Sequence, residues 1–180
     1  MTDPGWTSSS DPYLTPQQYD AWSAEAATRG SVGTQQLLGV ETVDADKRVR
    51  RALGLADTER AVVRRRLILE DDRPVELADS YYPEPIAAGT PLAENHKIKG
   101  GAVRVLADLG LTPHQVSEHV TARRPADQEQ ELLDVAADEP ILVLTRLSRA
   151  ATGQPAEYAV MRTVTSRSAG HTYQMQVPTA

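Results

Sequence analysis

The chain has 180 residues, 40% of them hydrophobic and 24% charged, with a formal net charge of −6, the make-up of a soluble globular protein of about one domain. No apolar run approaches the ~20 residues of a membrane helix, the opening MTDPGWTSSSDPYL lacks the basic start and apolar core of a secretory signal, and the acidity argues against nucleic-acid binding by this chain acting alone. With no cysteine there is no disulfide framework or thiolate metal site, in keeping with a reducing cytoplasm. His96, His114, His119 and His171 show no metal-ligand spacing, so neither metal nor cofactor is expected.

In chain order, the first fourteen or so residues read as a linker or ragged terminus. Thr15 resembles an N-cap, with Pro16 at the first helical position and Gln18 closing a capping box, for a helix that runs through QQYDAWSAEAATR and stops at Gly30. Residues 32–43, VGTQQLLGVETV, alternate as a strand does. Asp44 is placed to cap a short helix, ADKRVRRAL, ending at Gly54. Two strands follow in VVRRRLILEDDRPVELADSYYP, joined at EDDR. The stretch EPIAAGTPLAENHKIK holds too many Pro and Gly for a regular element and is expected to cross one face irregularly. Gly100 and Gly101 precede an amphipathic helix, AVRVLADLG. A strand at HQVSEHVTARR, a helix opened by Pro125, and three strands, PILVLTRLSRA, PAEYAVMRTVT and HTYQMQV, complete an α+β pattern with a central antiparallel β-sheet flanked by short helices.

An internal similarity sharpens this plan. LGLADTERAVVRRRL from Leu53 and LDVAADEPILVLTRL from Leu133 match at a constant offset of 80 residues. After one extra residue PVELADSYY and PAEYAVMRT continue the match. Each half then has a helix end, an acidic turn, a strand with an arginine (Arg66, Arg146), a proline, and a strand with a glutamate (Glu76, Glu157).

Side chains two apart on a strand share a face, so Arg64, Arg66 and Ile68 lie together, as do Glu76, Ala78, Ser80 and Tyr82. If that face borders a cleft, the arginines offer forked donors to an anion, the glutamates accept from hydroxyls or amines, and Tyr82 supplies a flat wall. The alternative is that Arg65, beside Val63 and Leu67, faces the core edge while Arg64 and Arg66 are solvated or paired with acids. KIKGG before a helix is a second candidate: Lys97, Lys99, Gly100 and Gly101 could hold a phosphate or carboxylate on free backbone N–H groups. No G-x-S-x-G, H-E-x-x-H, Walker or G-x-G-x-x-G motif is present, so nothing demands an enzyme.

Taken in order, RGSVGTQQLLGVETVDADKRVRRALGL, AVVRRRLILEDDRPVELADSYYP, GGAVRVLADLGL, EHVTARRPADQEQELLDVAADEPILVLTRL and GQPAEYAVMRTV…YQMQV resemble the UTRA domain, the effector-binding domain of bacterial transcription regulators in the HutC branch of the GntR family. The resemblance covers about Arg29 to Val177 and divides the chain into a linker and N-terminal helix, 1–28, and a UTRA-like domain, 29–180. It implies a chorismate-lyase-like fold, a homodimer, and a small-molecule effector that controls an N-terminal winged helix-turn-helix. No such domain, of ~65 to 70 residues, precedes Arg29, so the chain is expected to be an excised or a free-standing sensor domain, with DNA contact belonging to a part outside it and residues 15–29 as the conduit. Arg66 resembles the strand arginine aimed at an anionic ligand group, Gly101 stands where a helix-start serine often holds phosphate, and Glu157 resembles the second-half glutamate. Three departures argue against sugar-phosphate specificity: Ile68 stands where a partner arginine is usual, Gly101 lacks the hydroxyl, and Thr163 lies near a usual aromatic. The expectation is a cytoplasmic, non-catalytic sensor of a small anion, with Arg64, Arg66, Glu76, Tyr82, Lys99, Gly100, Gly101, Arg146 and Glu157 as its ligand-binding residues. A chorismate-lyase-like enzyme and a ligand-free dimerisation module remain the alternatives.

Overall fold

Six long strands, each with apolar residues on at least one of its two faces, pair into one antiparallel sheet in the order β2-β3-β4-β7-β6-β5. The computed structural model describes residues 6–17 and 19–175. The strands are β2 (Gly33–Val43), β3 (Ala61–Glu70), β4 (Arg73–Pro83), β5 (Gln115–Arg123), β6 (Ile141–Arg149) and β7 (Pro155–Val164). The short β1 (Trp6–Ser8) and β8 (Tyr173–Met175) form a separate antiparallel ribbon. The last of the expected strands is thus three described residues long and pairs outside the main sheet; Gln176 and Val177 lie outside the described residues. No helix is long and apolar enough to cross a membrane among the described residues.

The strand order is a palindrome of two three-strand halves, and the register repeats with it. Arg66 lies opposite Ala78 in the first half, and Arg146 lies opposite Ala159 in the second. The halves meet where β4 pairs with β7, and Asp79 faces Val160 at the centre of the local two-fold. Between Asp71 and Asp72 the first hairpin turns with φ of 48° and 62°, the backbone twist a two-residue hairpin favours and short acidic side chains tolerate.

One face of the sheet carries the main apolar core. Helices α3 (Lys47–Leu53) and α6 (Asp127–Leu133) lie on it, packing Val49, Leu53 and Leu133 against Leu67, Leu77, Ile141 and Val160. Asp46, rather than Asp44, caps α3 by accepting from the Val49 N–H at 2.8 Å. The equivalent helix ends, Gly54 and Asp134, are both left-handed. Arg167 then donates to the Leu133, Asp134 and Pro74 carbonyls at 2.6 to 2.8 Å, satisfying orphan acceptors at the end of α6.

The opposite face is covered unevenly. Residues 84–111 cross the first half through α4 (Glu84–Ala87), a 3-10 turn at Pro91–Ala93 and α5 (Gly101–Asp108), burying Ile86, Leu92 and Leu106 against Val62 and Tyr82. The second half has no such excursion. Helix α2 (Ala21–Thr28) instead lies against edge strand β2, from which Trp22 packs on the cluster of Ile68, Val75 and Ala78 and its indole N–H donates to the Leu69 carbonyl at 2.8 Å. This helix starts later than expected. Thr15 is extended, Asp20 is the N-cap and accepts from the Ser23 N–H at 3.1 Å, and a separate single turn, α1 (Asp11–Leu14), comes first. The capping role expected of Gln18 lies outside the described residues.

Gly33 marks how closely α2 approaches. A Cβ there would lie 2.8 Å from the Ala26 Cβ and from both the indole nitrogen and the backbone oxygen of Trp22. Gly33→Ala is therefore expected to push α2 off the sheet and lower stability by about 1 to 3 kcal/mol, the usual cost of overpacking. Urea unfolding measures it, and an unchanged midpoint would show that α2 is loosely held.

Candidate ligand-binding site

Between the unevenly covered face and α2 lies a cavity of about 390 Å³, within the range of small-molecule sites. Its floor is the sheet: Arg66 and Ile68 from β3, Glu76 from β4, Leu144 and Arg146 from β6, and Glu157, Met161 and Thr163 from β7. Its walls are Tyr13 and Trp22 from the N-terminal segment, residues 168–171, and the start of α5. The strand alternation places these floor residues on one face, as expected. The amino-terminal wall was not foreseen, because the motifs begin only at Arg29.

The neighbouring arginines divide their work. Arg64 is 4% exposed, and its Nη1 donates to the Pro91, Leu92 and Glu94 carbonyls at 3.1, 3.0 and 2.7 Å while Nη2 donates to the His96 carbonyl at 2.7 Å. Burial holds its pKa below the ordinary arginine value. The expected ligand role for Arg64 is thus corrected: it lies outside the main cavity, beside a small adjoining hollow, and pins the excursion 91–96 to the sheet. Arg66, two residues on, reaches only the Gln35 Oε1 at 3.5 Å and the Ser80 Oγ at 3.3 Å, and it forms no ion pair among the described residues. It lines both the main cavity and the adjoining hollow, with more donors than these two bonds use. Arg146 also lines the cavity, with one long ionic contact, 3.9 Å to Glu118.

The two glutamates occupy equivalent places but differ in surroundings. Glu76 accepts from the Thr163 hydroxyl at 2.8 Å. What surface it retains opens into the cavity rather than bulk water. Burial raises its pKa, against the Thr163 hydrogen bond and the positive fields of Arg66, His171 and Arg146. Glu157 accepts from the Tyr82 phenol at 2.8 Å. Tyr82 is 1% exposed and absent from the main cavity's lining, so it does not form the expected flat wall; it orients Glu157. Burial, with the charge of Glu157, pushes its pKa well up.

Gly100 and Gly101, with φ of 81° and 75°, carry the chain into α5, whose N-cap has no side-chain hydrogen bond. The first backbone N–H groups of α5 therefore sit at the cavity wall beside Gly101, Ala102 and Val103, a position that favours negative charge. Lys99 lies exposed at the same edge. A Cβ on Gly100 would stand 3.1 Å from the Gln17 carbonyl, so this glycine also admits the crossing N-terminal segment. In that segment the Tyr13 phenol donates to Glu25 at 2.5 Å, and burial, the hydrogen bond and the charges of Glu25, Glu76 and Asp20 all raise its pKa. Lys97 pairs with Asp20 at 3.4 Å, linking the excursion to the α2 cap. No group of three metal-ligating side chains gathers among the described residues.

Comparison with known proteins follows the same outline. The UTRA domain profile matches residues 28–168. An HTH-type transcriptional regulator of Streptomyces coelicolor is 31% identical over 138 residues, covering 75% of this chain and 51% of its own length; the chain thus spans about half of that relative. Among solved structures, the effector domain of PhnF from Mycobacterium smegmatis superposes with a TM-score of 0.71 at 18% identity, over 81% of this chain and 89% of that one. A GntR-family transcriptional regulator from Bacillus cereus gives 0.69 at 16% identity, over 82% and 99%. These likenesses establish the α+β fold.

The two strand arginines are expected to respond unequally to truncation. Arg64→Met strands four carbonyls and should cost about 3 kcal/mol, whereas Arg66→Met removes two long bonds and should cost under about 1 kcal/mol; equal losses on urea unfolding would contradict this division. Glu76 adds a pH signature. Its native pKa is raised, so its stabilising contribution is complete below the ordinary glutamate range and is lost as pH rises through the native value. Unfolding from about pH 4 to about pH 8 should show wild type losing stability relative to Glu76→Gln, and parallel curves would place Glu76 in an ordinary solvated setting.

Proposed function

The chain belongs to the UTRA domain family, and from that membership and the cavity we propose that it is the effector-sensing unit of a bacterial GntR-type transcription regulator of the HutC branch. It binds a small anionic effector and performs no catalytic step. The single observation that carries this reading is Arg66: a guanidinium set in a cavity of ligand size with only two long hydrogen bonds and no acidic partner among the described residues. An anion between Arg66 and the α5 N-terminus would satisfy both at once. Glu76 and Glu157 then accept from hydroxyl or amino groups of the same molecule.

The proposed output runs through the N-terminal segment. Tyr13 and Trp22 line the cavity, so ligand-filled and ligand-free states differ in what these side chains touch, and the ligand shifts the balance between packings of α2. In this reading DNA is contacted by a winged helix-turn-helix domain preceding the sensor, the regulator acts as a cytoplasmic homodimer, and α2 relays the effector's presence toward that domain.

Thermal-shift screening of organic acids, phosphates, amino acids and acyl compounds tests the proposal, since a ligand specific to the native state raises the midpoint by mass action. An anionic hit is expected, with Arg66→Ala weakening it by about 1.5 to 3 kcal/mol, the scale of a charged hydrogen bond. Undiminished affinity in Arg66→Ala, or a screen in which no anion shifts the midpoint, would refute the assignment.

A further inference from the structure

Resting on the reading that the cavity holds an anionic effector, we propose that this effector carries two anionic groups, one docked on Arg66 beside the α5 N-terminus and the other on Arg146. Arg146 is 8% exposed, lines the cavity, and has a buried Nε without a hydrogen-bond partner. No described residue accepts a hydrogen bond from its guanidinium. Its ionic contact with Glu118, at 3.9 Å, is too long to be a hydrogen bond, and the Glu118 Oε1 on that contact is itself buried and unbonded. Glu118 is engaged from the other side, by the Ser8 hydroxyl at 3.5 Å and by the Tyr173 phenol. A buried guanidinium N–H left without an acceptor is costly, and such groups are rare unless a partner arrives.

The local two-fold supplies an independent argument. Arg66 and Arg146 are equivalents in the repeat, each opposite an equivalent alanine, and both project from the same face into one cavity. Strands β3 and β6 are three inter-strand spacings apart, about 14 Å at ~4.8 Å each, and the two side chains line opposite sides of the floor between them. On the strands between them Met161 offers an apolar surface, with the Glu76 and Glu157 carboxylates to either side of it along the strands. A cavity of 390 Å³ holds the equivalent of roughly a dozen waters at ~30 Å³ each, room for a short chain with an acid at each end. The chemistry that fits is an α,ω-diacid with a short uncharged spacer. A monoanion would leave one of the two arginines unmet.

Calorimetric titration of the full chain with the linear dicarboxylates from succinate to suberate, each against its monomethyl ester, tests this. At least one diacid should bind wild type ~10- to 100-fold more tightly than its ester, the factor a charged hydrogen bond provides. Arg146→Met should erase that preference by bringing diacid affinity down to that of the ester, and Arg146→Lys, which keeps the charge but loses the fork, should retain part of it. Equal affinity of acid and ester, or a preference that survives in Arg146→Met, overturns the two-anion inference; if binding then still depends on Arg66, the effector reading stands without it. Failure of every diacid and every ester to bind overturns the inference, while the separate Arg66→Ala screen decides the broader reading.

Discussion

A guanidinium withdrawn from water must find hydrogen-bond acceptors, and one face of this sheet holds three of them. Arg64 meets the requirement with four backbone carbonyls, so it belongs to the architecture. Half-buried Arg66 meets it with only two long bonds, and Arg146 has a buried Nε without an acceptor, which is what the proposed anionic guest would supply. This difference in bonding, at positions of one residue type within one sheet, separates scaffold from site more sharply than the cavity's size does.

The cavity itself follows from a broken symmetry. The strands repeat about the Asp79–Val160 pair, and α3 and α6 repeat on the core face, but only the first half carries a long excursion over the other face. That excursion buries Val62 and Tyr82 and draws in Arg64. Over the rest of the face, side chains that repetition places in register stay open, and the N-terminal segment and residues 168–171 close the space instead. The result is a cavity whose floor is rigid sheet and whose roof is made of short elements. Lids of this kind are drawn from the less stable parts of a fold, which suits the proposed output, a change in how α2 packs.

Much of this was legible in the sequence. The EDDR turn, the alternation that puts Arg64, Arg66, Glu76 and Tyr82 on one face, and the offset linking Arg66 to Arg146 all depend on local backbone periodicity. The roles of Arg64 and Tyr82 did not, because each is decided by a distant partner: carbonyls of residues 91–96 for one, the Glu157 carboxylate for the other. A segment read as irregular gives no sign of where its carbonyls will point. The later start of α2 is a competition between caps that Asp20 wins through the Ser23 N–H. The contribution of Tyr13 and Trp22 was hidden for another reason: the recognisable pattern begins after them, and only the fold shows that they return to cover it.

The most direct measurement is nuclear magnetic resonance of the arginine Nε–H groups during titration with an anion. The signals of Arg66 and Arg146 should shift and their exchange with water should slow as the anion binds, while that of Arg64, already held by carbonyls, stays where it was. A titration in which Arg64 moves with the other two, or in which Arg66 does not respond at all, would contradict the account that open guanidiniums on a closed face define this site.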